Sequence, residues 1–369
     1  MNELEQLIGF AENKGATDII IAQAQHAHFR INRKIIPCTE ILIPSAYALL
    51  EQILEKFPQS VRDRYNKNIQ NCIDIDCAFN SLGNTRIRAN IFTSINGLEF
   101  ALRLIPKNRM TAEQIGLPTQ AIDCIRRQSG LFLVTGISGS GKTTTLASLL
   151  DVINNTTQKH VLTIEDPIEY VFENKRSIFS QREIITHTNN YASALRSAVR
   201  ENADIILIGE MRDYAIIKVA IELAETGHLV MSTLHTRNSI STIDRILSMA
   251  TTDEQQHMRS MISSQLIGVV SQTLLQRISG GLIASFEFLK VTPAVRNLIR
   301  EDKLPLIYNE LQTGVKDGMI SMEENLCRLV ERNIISISDA MRSTSKPDIL
   351  RELMRTSQYV NQLELEAFI

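Results

Sequence analysis

The chain has 369 residues, with 39 basic and 41 acidic side chains and a net charge of −2. This length allows two or three domains, each with its own hydrophobic core. The balanced charge excludes the overall basic excess that is typical of proteins that bind nucleic acid or membranes through charge. The five cysteines include no C-x-x-C pair, which argues against a disulfide framework and favours a reducing cytoplasm.

The sequence predicts no membrane segment. The first residues, "MNELEQLIGFAENKG", carry acids early and lack the apolar core of a secretory signal. No stretch reaches the roughly 18 apolar residues that a spanning helix requires. We therefore expect a cytoplasmic protein that reaches a membrane only through partners and does not bind nucleic acid directly.

Residues 1–105 predict an α+β domain. Strands are expected in "TDIIIAQ", "AHFRINRKIIPC" and "TRIRANIFTSINGLEFALRLIP", with a helical run from about 44 to 66 between the last two. Alternation of apolar and polar residues in "RIRANIF" is typical of a strand with one buried face. The polar segment 106–118, "PKNRMTAEQIGLP", is predicted to be an interdomain linker.

The pattern after residue 118 predicts an α/β core, 119–285, followed by a C-terminal helical subdomain, 286–369. Within the core, apolar runs alternate with amphipathic ones, which indicates parallel βαβ units. Strands are expected at 131–135, 161–164, 204–208 and 228–233. Beyond about 286, caps and breaks at prolines and glycines separate short helices.

The segment "GISGSGKT", Gly136–Thr143, satisfies the pattern G-x-x-x-x-G-K-[ST]. An apolar strand precedes it, and a helix with apolar residues at i, i+3, i+4 and i+7 follows, as a phosphate-binding P-loop requires. Successive backbone N–H groups would bind phosphates, Lys142 would reach the β- and γ-phosphates, and the Thr143 hydroxyl would bind Mg²⁺. The predicted nucleotide-binding residues are Gly136, Ser138, Gly139, Ser140, Gly141, Lys142, Thr143 and Thr144. The alternative is a glycine-rich turn without function.

Two acidic segments follow predicted strands. "VLTIEDPIEY", 161–170, contains Glu165, Asp166 and Glu169, and "DIILIGEMRD", 204–213, contains Glu210. Hydrolysis needs a general base for the attacking water and a second acid for the metal and its water shell. The alternative is that these acids are solvated turn residues.

Five ordered segments carry a family resemblance: "GISGSGKTTT", "IEDPIEY", "ALRSAVRENADIILIGEMRD", "AETGHLVMSTLHT" and "AVRNLIRE". They resemble the secretion and type IV pilus ATPases, and most closely the PilT family of twitching-motility retraction ATPases. The resemblance extends from about residue 100 to 320. It implies homohexameric rings in which each subunit has a PAS-like N-terminal domain and a RecA-like ATPase core, with ATP bound between domains.

The resemblance also assigns roles to single residues. Glu169 corresponds to the catalytic glutamate, and Glu210 to an atypical Walker B acid that binds Mg²⁺ partly through water. His228 and His235 fall in the segment similar to the family's His box, which implies γ-phosphate sensing and a role at the subunit interface. Without the resemblance, hydrogen-bonded structural histidines would be preferred. Because the two lie seven residues apart, His235 is expected in the loop after the strand.

Three arginines of the N-terminal domain are candidate arginine fingers. Arg86 and Arg88 lie in "TRIRANIF", which is similar to a family motif, and Arg103 follows it. Arg86 is the weakest of the three candidates. The alternative is that all three decorate the solvated face of a strand, as alternation alone predicts.

The segment "AVRNLIRE", 294–301, resembles a helix motif linked to pilus retraction. Val295, Leu298 and Ile299 would pack on the core. The outward face would contact the inner-membrane pilus platform protein and the pilus machinery through Arg296, Asn297, Arg300 and Glu301. The chain lacks the paired C-x-x-C zinc module common in assembly and secretion ATPases. An ATP-driven pilus retraction motor is therefore predicted, with a secretion or conjugation ATPase and a non-catalytic nucleotide-binding ring subunit as alternatives.

Overall fold

The structure, a computed structural model, describes residues 2–22, 26–31, 34–42, 45–126 and 129–357. The remaining positions include parts of the predicted N-terminal strands, the start of the predicted helical run and the end of the predicted C-terminal subdomain, and those parts lie outside the described residues. The chain is α/β and divides into two units. The first comprises Met1–Arg109, Glu165–Phe172 and Gln181–Asn190, and the second Met110–Ile164, Glu173–Ser180 and Tyr191–Ile369.

A six-stranded antiparallel sheet forms the first unit, in the order β3-β2-β1-β6-β5-β4. Its strands are β1 (Asp18–Ile21), β2 (His26–Ile31), β3 (Lys34–Leu42), β4 (Ile75–Asn80), β5 (Arg86–Ser94) and β6 (Gly97–Ile105). Its helices are α1 (Glu3–Asn13), α2 (Ala46–Leu54) and α3 (Gln59–Gln70). The apolar residues of the helices and of one sheet face form a single core.

The alternation predicted for β5 is confirmed. Ile87, Ala89 and Ile91 are fully buried, while Arg86 and Arg88 lie on the opposite, partly exposed face. The predicted continuous helix from 44 to 66 is wrong, because the chain forms two helices. Pro58 precedes α3 with no N–H to continue α2, which ends at Leu54.

A seven-stranded sheet has the order β13-β12-β7-β11-β10-β8-β9. Its strands are β7 (Gly130–Thr135), β8 (His160–Glu165), β9 (Ile178–Glu183), β10 (Ile205–Ile208), β11 (Leu229–Leu234), β12 (Leu266–Gln276) and β13 (Leu282–Lys290). The strands β12, β7, β11, β10 and β8 pair in parallel, which confirms the four predicted core strands.

Helix α4 (Thr119–Cys124) precedes β7, and the helices between these strands are α5 (Lys142–Thr156), α6 (Tyr191–Ala198), α7 (Tyr214–Glu225), α8 (Ser239–Ser248) and α9 (Thr252–Gln265). Every residue of β10 and β11 is buried, so both faces of these two strands are covered. Such burial explains why these strands are continuous apolar runs in the sequence.

The described chain beyond residue 290, which ends at residue 357, is helical. The helices are α10 (Pro293–Arg300), α11 (Ile307–Thr313), α12 (Met322–Glu331), α13 (Ile337–Ser343) and α14 (Pro347–Thr356), with 3₁₀ helices at Leu304–Leu306 and Gly314–Asp317. Ser321 and Ser336 cap α12 and α13 by accepting backbone N–H groups, and Pro347 occupies the first turn of α14. The helical segment starts later than predicted, because β13 pairs with β12 in an antiparallel hairpin up to Lys290.

No helix among the described residues combines the length and apolar composition needed to cross a bilayer.

The buried middle of β10 gives a stability prediction. Replacing Ile206, which is fully buried, by Ala should lower the free energy of unfolding by about 2–5 kcal/mol, because the change leaves a cavity. Urea unfolding without nucleotide measures the effect. The matched control is Ile178→Ala on the edge strand β9, where the side chain is 61% exposed. Equal losses for the two variants would contradict the assigned packing.

Candidate functional site

The P-loop connects β7 to α5. Gly136, Gly139 and Gly141 have φ angles of 153°, 76° and 90°, which favour glycine. A Cβ on Gly136 would lie 2.4 Å from the Ser140 Oγ and 2.5 Å from the backbone oxygen of Gln272, so a side chain there would displace the loop. The loop ends at Gly141, the N-cap of α5, and the N–H groups at a helix N-terminus favour a bound anion.

Lys142 is the first residue of α5 and is 9% exposed. Its Nζ donates to the backbone oxygens of Gly136 (2.8 Å) and Ile137 (3.2 Å), and lies 3.3 Å from Nδ1 of His235. Burial lowers the pKa of Lys142, and the negative charge of Glu210 opposes this shift. The ammonium is thus held at the loop, with a carboxylate near enough to favour its charged form.

His235 lies in the loop after β11, as predicted. Because a lysine ammonium only donates, Nδ1 of His235 accepts from Lys142 and the ring proton is on Nε2. That nitrogen lies 3.1 Å from Oε1 of Glu210. The histidine therefore bridges the P-loop lysine and the acid that follows β10.

Glu210 is paired through both carboxylate oxygens. Besides the contact with His235, its Oε2 accepts from Nε of Arg212 at 3.0 Å. The backbone places the acid here, since the Gly209 N–H donates to the Ile164 oxygen at 2.8 Å and the Thr233 hydroxyl donates to the Gly209 oxygen at 2.7 Å. Lys142, His235, Glu210 and Arg212 form one network in the second unit.

Glu169 belongs to the first unit, where it pairs with Arg88. Nη1 of Arg88 lies 2.9 Å from Oε1 of Glu169, and the two side chains are 38% and 19% exposed. The structure thus brings together two residues that the sequence assigned to different roles, the candidate arginine finger and the candidate base.

Arg86 holds the backbone next to Glu169. Its Nε donates to the Ile168 oxygen at 2.9 Å, and its Nη2 donates to Oε2 of Glu183 at 3.0 Å. The same Oε2 accepts the Ile168 N–H at 3.0 Å. Burial lowers the pKa of Arg86, and Glu183 opposes the shift. Within the chain, Arg86 is therefore part of the scaffold that supports Glu169.

Arg103 lies opposite Arg88 on the neighbouring strand β6. Its Nε donates to Oδ1 of Asp18 at 3.0 Å, and the side chain is 62% exposed. Arg103 therefore shares a sheet face with Arg88 but has a different acidic partner.

His228 is not brought to the P-loop of its own chain. It precedes the first residue of β11, and its backbone oxygen accepts from Gly130 at the start of β7, whereas the P-loop follows the other end of β7. Its Nδ1 lies 2.9 Å from the Leu223 oxygen. These contacts fix the turn between α7 and β11.

The helix α10 differs in part from the expectation. Val295 and Ile299 are buried as predicted, but Leu298 is only partly buried. Arg296 does not face solvent freely, because its Nη1 donates to the backbone oxygens of Ser263, at 2.9 Å, and Ser264, in the last turn of α9. A cation here satisfies carbonyls that the helix leaves unpaired.

The other three predicted partner-facing residues are exposed. Asn297 and Arg300 lie on the outer face of α10, and Glu301 pairs with Lys303 at 2.8 Å.

The residues around Thr143 fit a nucleotide-bound Mg²⁺. The Thr143 hydroxyl, in the first turn of α5, makes no hydrogen bond or ion pair within the described part of the chain. No group of three potential ligands that could hold a metal occurs among the described residues. Mg²⁺ in phosphate-transfer sites typically takes one or two protein ligands besides phosphates and waters, so a hydroxyl with a nearby acid such as Glu210 matches that chemistry.

Two residues of these networks carry no motif signal. Glu183, which is 3% exposed, organises the turn around Ile168, and Gln272, also 3% exposed, donates from Nε2 to the Ser140 oxygen at 2.6 Å. Glu183 is 97 positions from its partner Arg86, and Gln272 is 132 positions from Ser140, so only the fold reveals these contacts.

Comparison with known proteins gives a consistent result. Residues 3–344 match the family described as Type II/IV secretion system protein. The chain is 39% identical to the type IV pilus retraction ATPase PilT of Pseudomonas aeruginosa, over 94% of this chain and 99% of that protein. It is 42% identical to a twitching motility protein of Neisseria gonorrhoeae, over 79% and 78% of the two chains.

A solved structure also matches. The crystal structure of the pilus retraction motor PilT with bound ADP superimposes with a TM-score of 0.86 at 36% identity, covering 95% of this chain and all of that one (100%). These results agree with the motifs at the P-loop and the acidic segments. They are the family match, the 39% identity over nearly the full length of the chain, and this superposition. The chain therefore belongs to the PilT family of pilus retraction ATPases, within the type II/IV secretion ATPase superfamily.

Proposed function

We propose that this protein is an ATP-hydrolysing motor that drives type IV pilus retraction, and hence pilin depolymerisation and twitching motility. The observation that carries the proposal is the network that joins Lys142 of the P-loop through His235 to Glu210. It connects the phosphate-binding loop after β7 to an acid that follows β10, two strands away in the sheet, and such an acid beside the phosphate site fits an enzyme that acts on a nucleoside triphosphate. The names of the full-length relatives supply the pilus as the substrate.

The chemistry follows from the residues. The P-loop N–H groups and Lys142 bind the phosphates. The hydroxyl of Thr143 would hold Mg²⁺, which would supply positive charge to the phosphate oxygens. Glu169 acts as the general base that orients water. His235 reports a change at Lys142 to Glu210, because the ring contacts both side chains.

The remaining architecture is part of the same proposal. A PAS-like domain, 1–105, a linker, 106–118, a RecA-like core, 119–285, and a C-terminal helical subdomain, 286–369, build each subunit of a homohexamer. The ring acts in the cytoplasm, peripheral to the inner membrane, through the pilus platform protein. A traffic ATPase for secretion or conjugation is the second candidate, and loss of twitching in a deletion strain would separate the two.

The nucleotide site gives the first test of this function. Lys142→Ala should weaken ADP and ATP binding, because the buried ammonium is lost. Glu169→Gln should retain binding but reduce turnover by about 10²-fold or more, as expected when a positioned base is removed. Binding titrations and steady-state ATP hydrolysis measure both. Wild-type turnover by Glu169→Gln would exclude Glu169 as the base.

The pairing of Arg88 with Glu169 gives a second test. If Arg88 also acts on nucleotide held by another subunit, mixing inactive Arg88→Ala with inactive Lys142→Ala should restore partial ATP hydrolysis, since some sites then combine intact halves. Hexamers that carry two different affinity tags isolate the mixed species. No recovery in such hexamers would mean that Arg88 acts within its own chain or lies outside catalysis. Arg103→Ala, tested in the same way, shows whether its sheet neighbour shares the role.

The outer face of α10 gives a third test, which separates ATP hydrolysis from motion. Asn297→Ala combined with Arg300→Ala should leave hydrolysis within about twofold of wild type, because both side chains are exposed and surface changes rarely affect the fold. Pilus retraction should fail. Arg296→Ala is the matched control, and it should lower the melting temperature because two carbonyls of α9 lose their donor. Normal retraction by the double variant would reduce α10 to a packing helix.

A further inference from the structure

Gln272 lies beside the P-loop on β12, the strand that pairs in parallel with β7. Ser271 is the register partner of Thr135, the last residue of β7, so Gln272 lies next to Gly136. The side chain is 3% exposed. A buried polar side chain at this position needs a partner, and its Nε2 finds one in the loop, whereas its Oε1 has no hydrogen-bond partner among the described residues.

Gln272 approaches the P-loop at three points. Its Nε2 donates to the backbone oxygen of Ser140 at 2.6 Å. Its backbone oxygen lies 2.5 Å from the position of a Cβ on Gly136, and its Nε2 lies 3.3 Å from the position of a Cβ on Gly141. The two glycines therefore allow both the backbone and the side chain of Gln272 to lie against the loop.

The hydrogen bond to Ser140 fixes the orientation of one peptide group. In a trans peptide the C=O of Ser140 and the N–H of Gly141 belong to one plane and point in opposite directions. Because the C=O of Ser140 points to Gln272, the N–H of Gly141 points away from β12. The positive φ of Gly141, 90°, then turns the chain into α5.

We propose that Gln272 is a positioning residue for nucleotide binding, which fixes the Ser140–Gly141 peptide so that the Gly141 N–H is presented to the phosphate groups of a nucleoside di- or triphosphate. The proposal rests on the proposed function only in taking the P-loop as the phosphate site. A glutamine suits the role because its amide donates without adding charge beside Lys142. Its benefit is preorganisation, since a loop that is already oriented loses less conformational freedom when the phosphates bind.

The first experiment removes the donor. Gln272→Met keeps the length of the side chain and deletes both amide atoms, and it should weaken the binding of a fluorescent ADP analogue by about three- to tenfold, the effect of one net hydrogen bond. The matched control is Gln276→Met, the same substitution four residues later on β12, where the side chain is exposed. The control should bind the ADP analogue with an affinity within about twofold of wild type, because exposed substitutions have small effects.

The second experiment gives a pH signature that a merely structural role would not produce. In Gln272→Glu the ionised carboxylate cannot donate to the Ser140 oxygen, but the protonated carboxyl can. Burial raises the pKa of such a group and the ammonium of Lys142 opposes this shift, so the loss of ADP affinity relative to wild type should be larger at about pH 8 than at about pH 5.5. The sign follows because the protonated form is the one that restores the hydrogen bond.

The outcomes are distinguishable. Either of two results would overturn the proposal. One is a ratio of ADP affinities, Gln272→Glu to wild type, that does not change with pH. The other is an ADP affinity of Gln272→Met within about twofold of wild type, the margin expected for the control. If Gln272→Met does not fold, the pH series on Gln272→Glu decides alone. Because ADP binding is the readout, the proposal can hold even if the wild-type protein drives no pilus retraction.

Discussion

The parallel pairing of β7, β11 and β10 is the constraint on which the nucleotide site depends. Parallel strands end at the same edge of a sheet, so the residues that follow them meet there. Gly136 follows β7, His235 follows β11 and Glu210 follows β10. The sheet thus brings together residues that are up to 99 positions apart, Gly136 to His235, and the P-loop lysine completes the network from the next helix.

Much of this arrangement could be predicted because it is encoded locally. The G-x-x-x-x-G-K-[ST] pattern, the apolar run before it and the periodic leucines after it each require only neighbouring residues, and β7 and α5 agree with them. The position of His235 beyond β11 followed from strand geometry. The division of one predicted helix into α2 and α3 was missed, although Pro58 is visible in the sequence, because amphipathic periodicity continued across it.

What could not be predicted are contacts between residues distant in sequence. Nothing near Arg296 indicates that it binds the last carbonyls of α9, and nothing near Arg88 indicates Glu169 as its partner. Gln272 looks like any polar residue of a strand until β12 is placed beside β7. Long side chains have several rotamers that reach different partners, so their contacts depend on packing that a sequence pattern does not record.

The contacts of Glu183 limit where this chain can be joined to a related chain in a chimera. Its carboxylate accepts from Arg86, from the Ile168 N–H and from the Thr186 hydroxyl, and it is 3% exposed. Arg86 comes from the first 109 residues, whereas Glu183 comes from a segment 72 positions further on, 181–190, that belongs to the same unit. A chimera joined at residue 109 would separate the partly buried Arg86 from the carboxylate that accepts its hydrogen bond. The first unit of this chain is therefore a set of discontinuous segments, and a crossover that keeps its contacts must carry 165–172 and 181–190 with the N-terminal sheet.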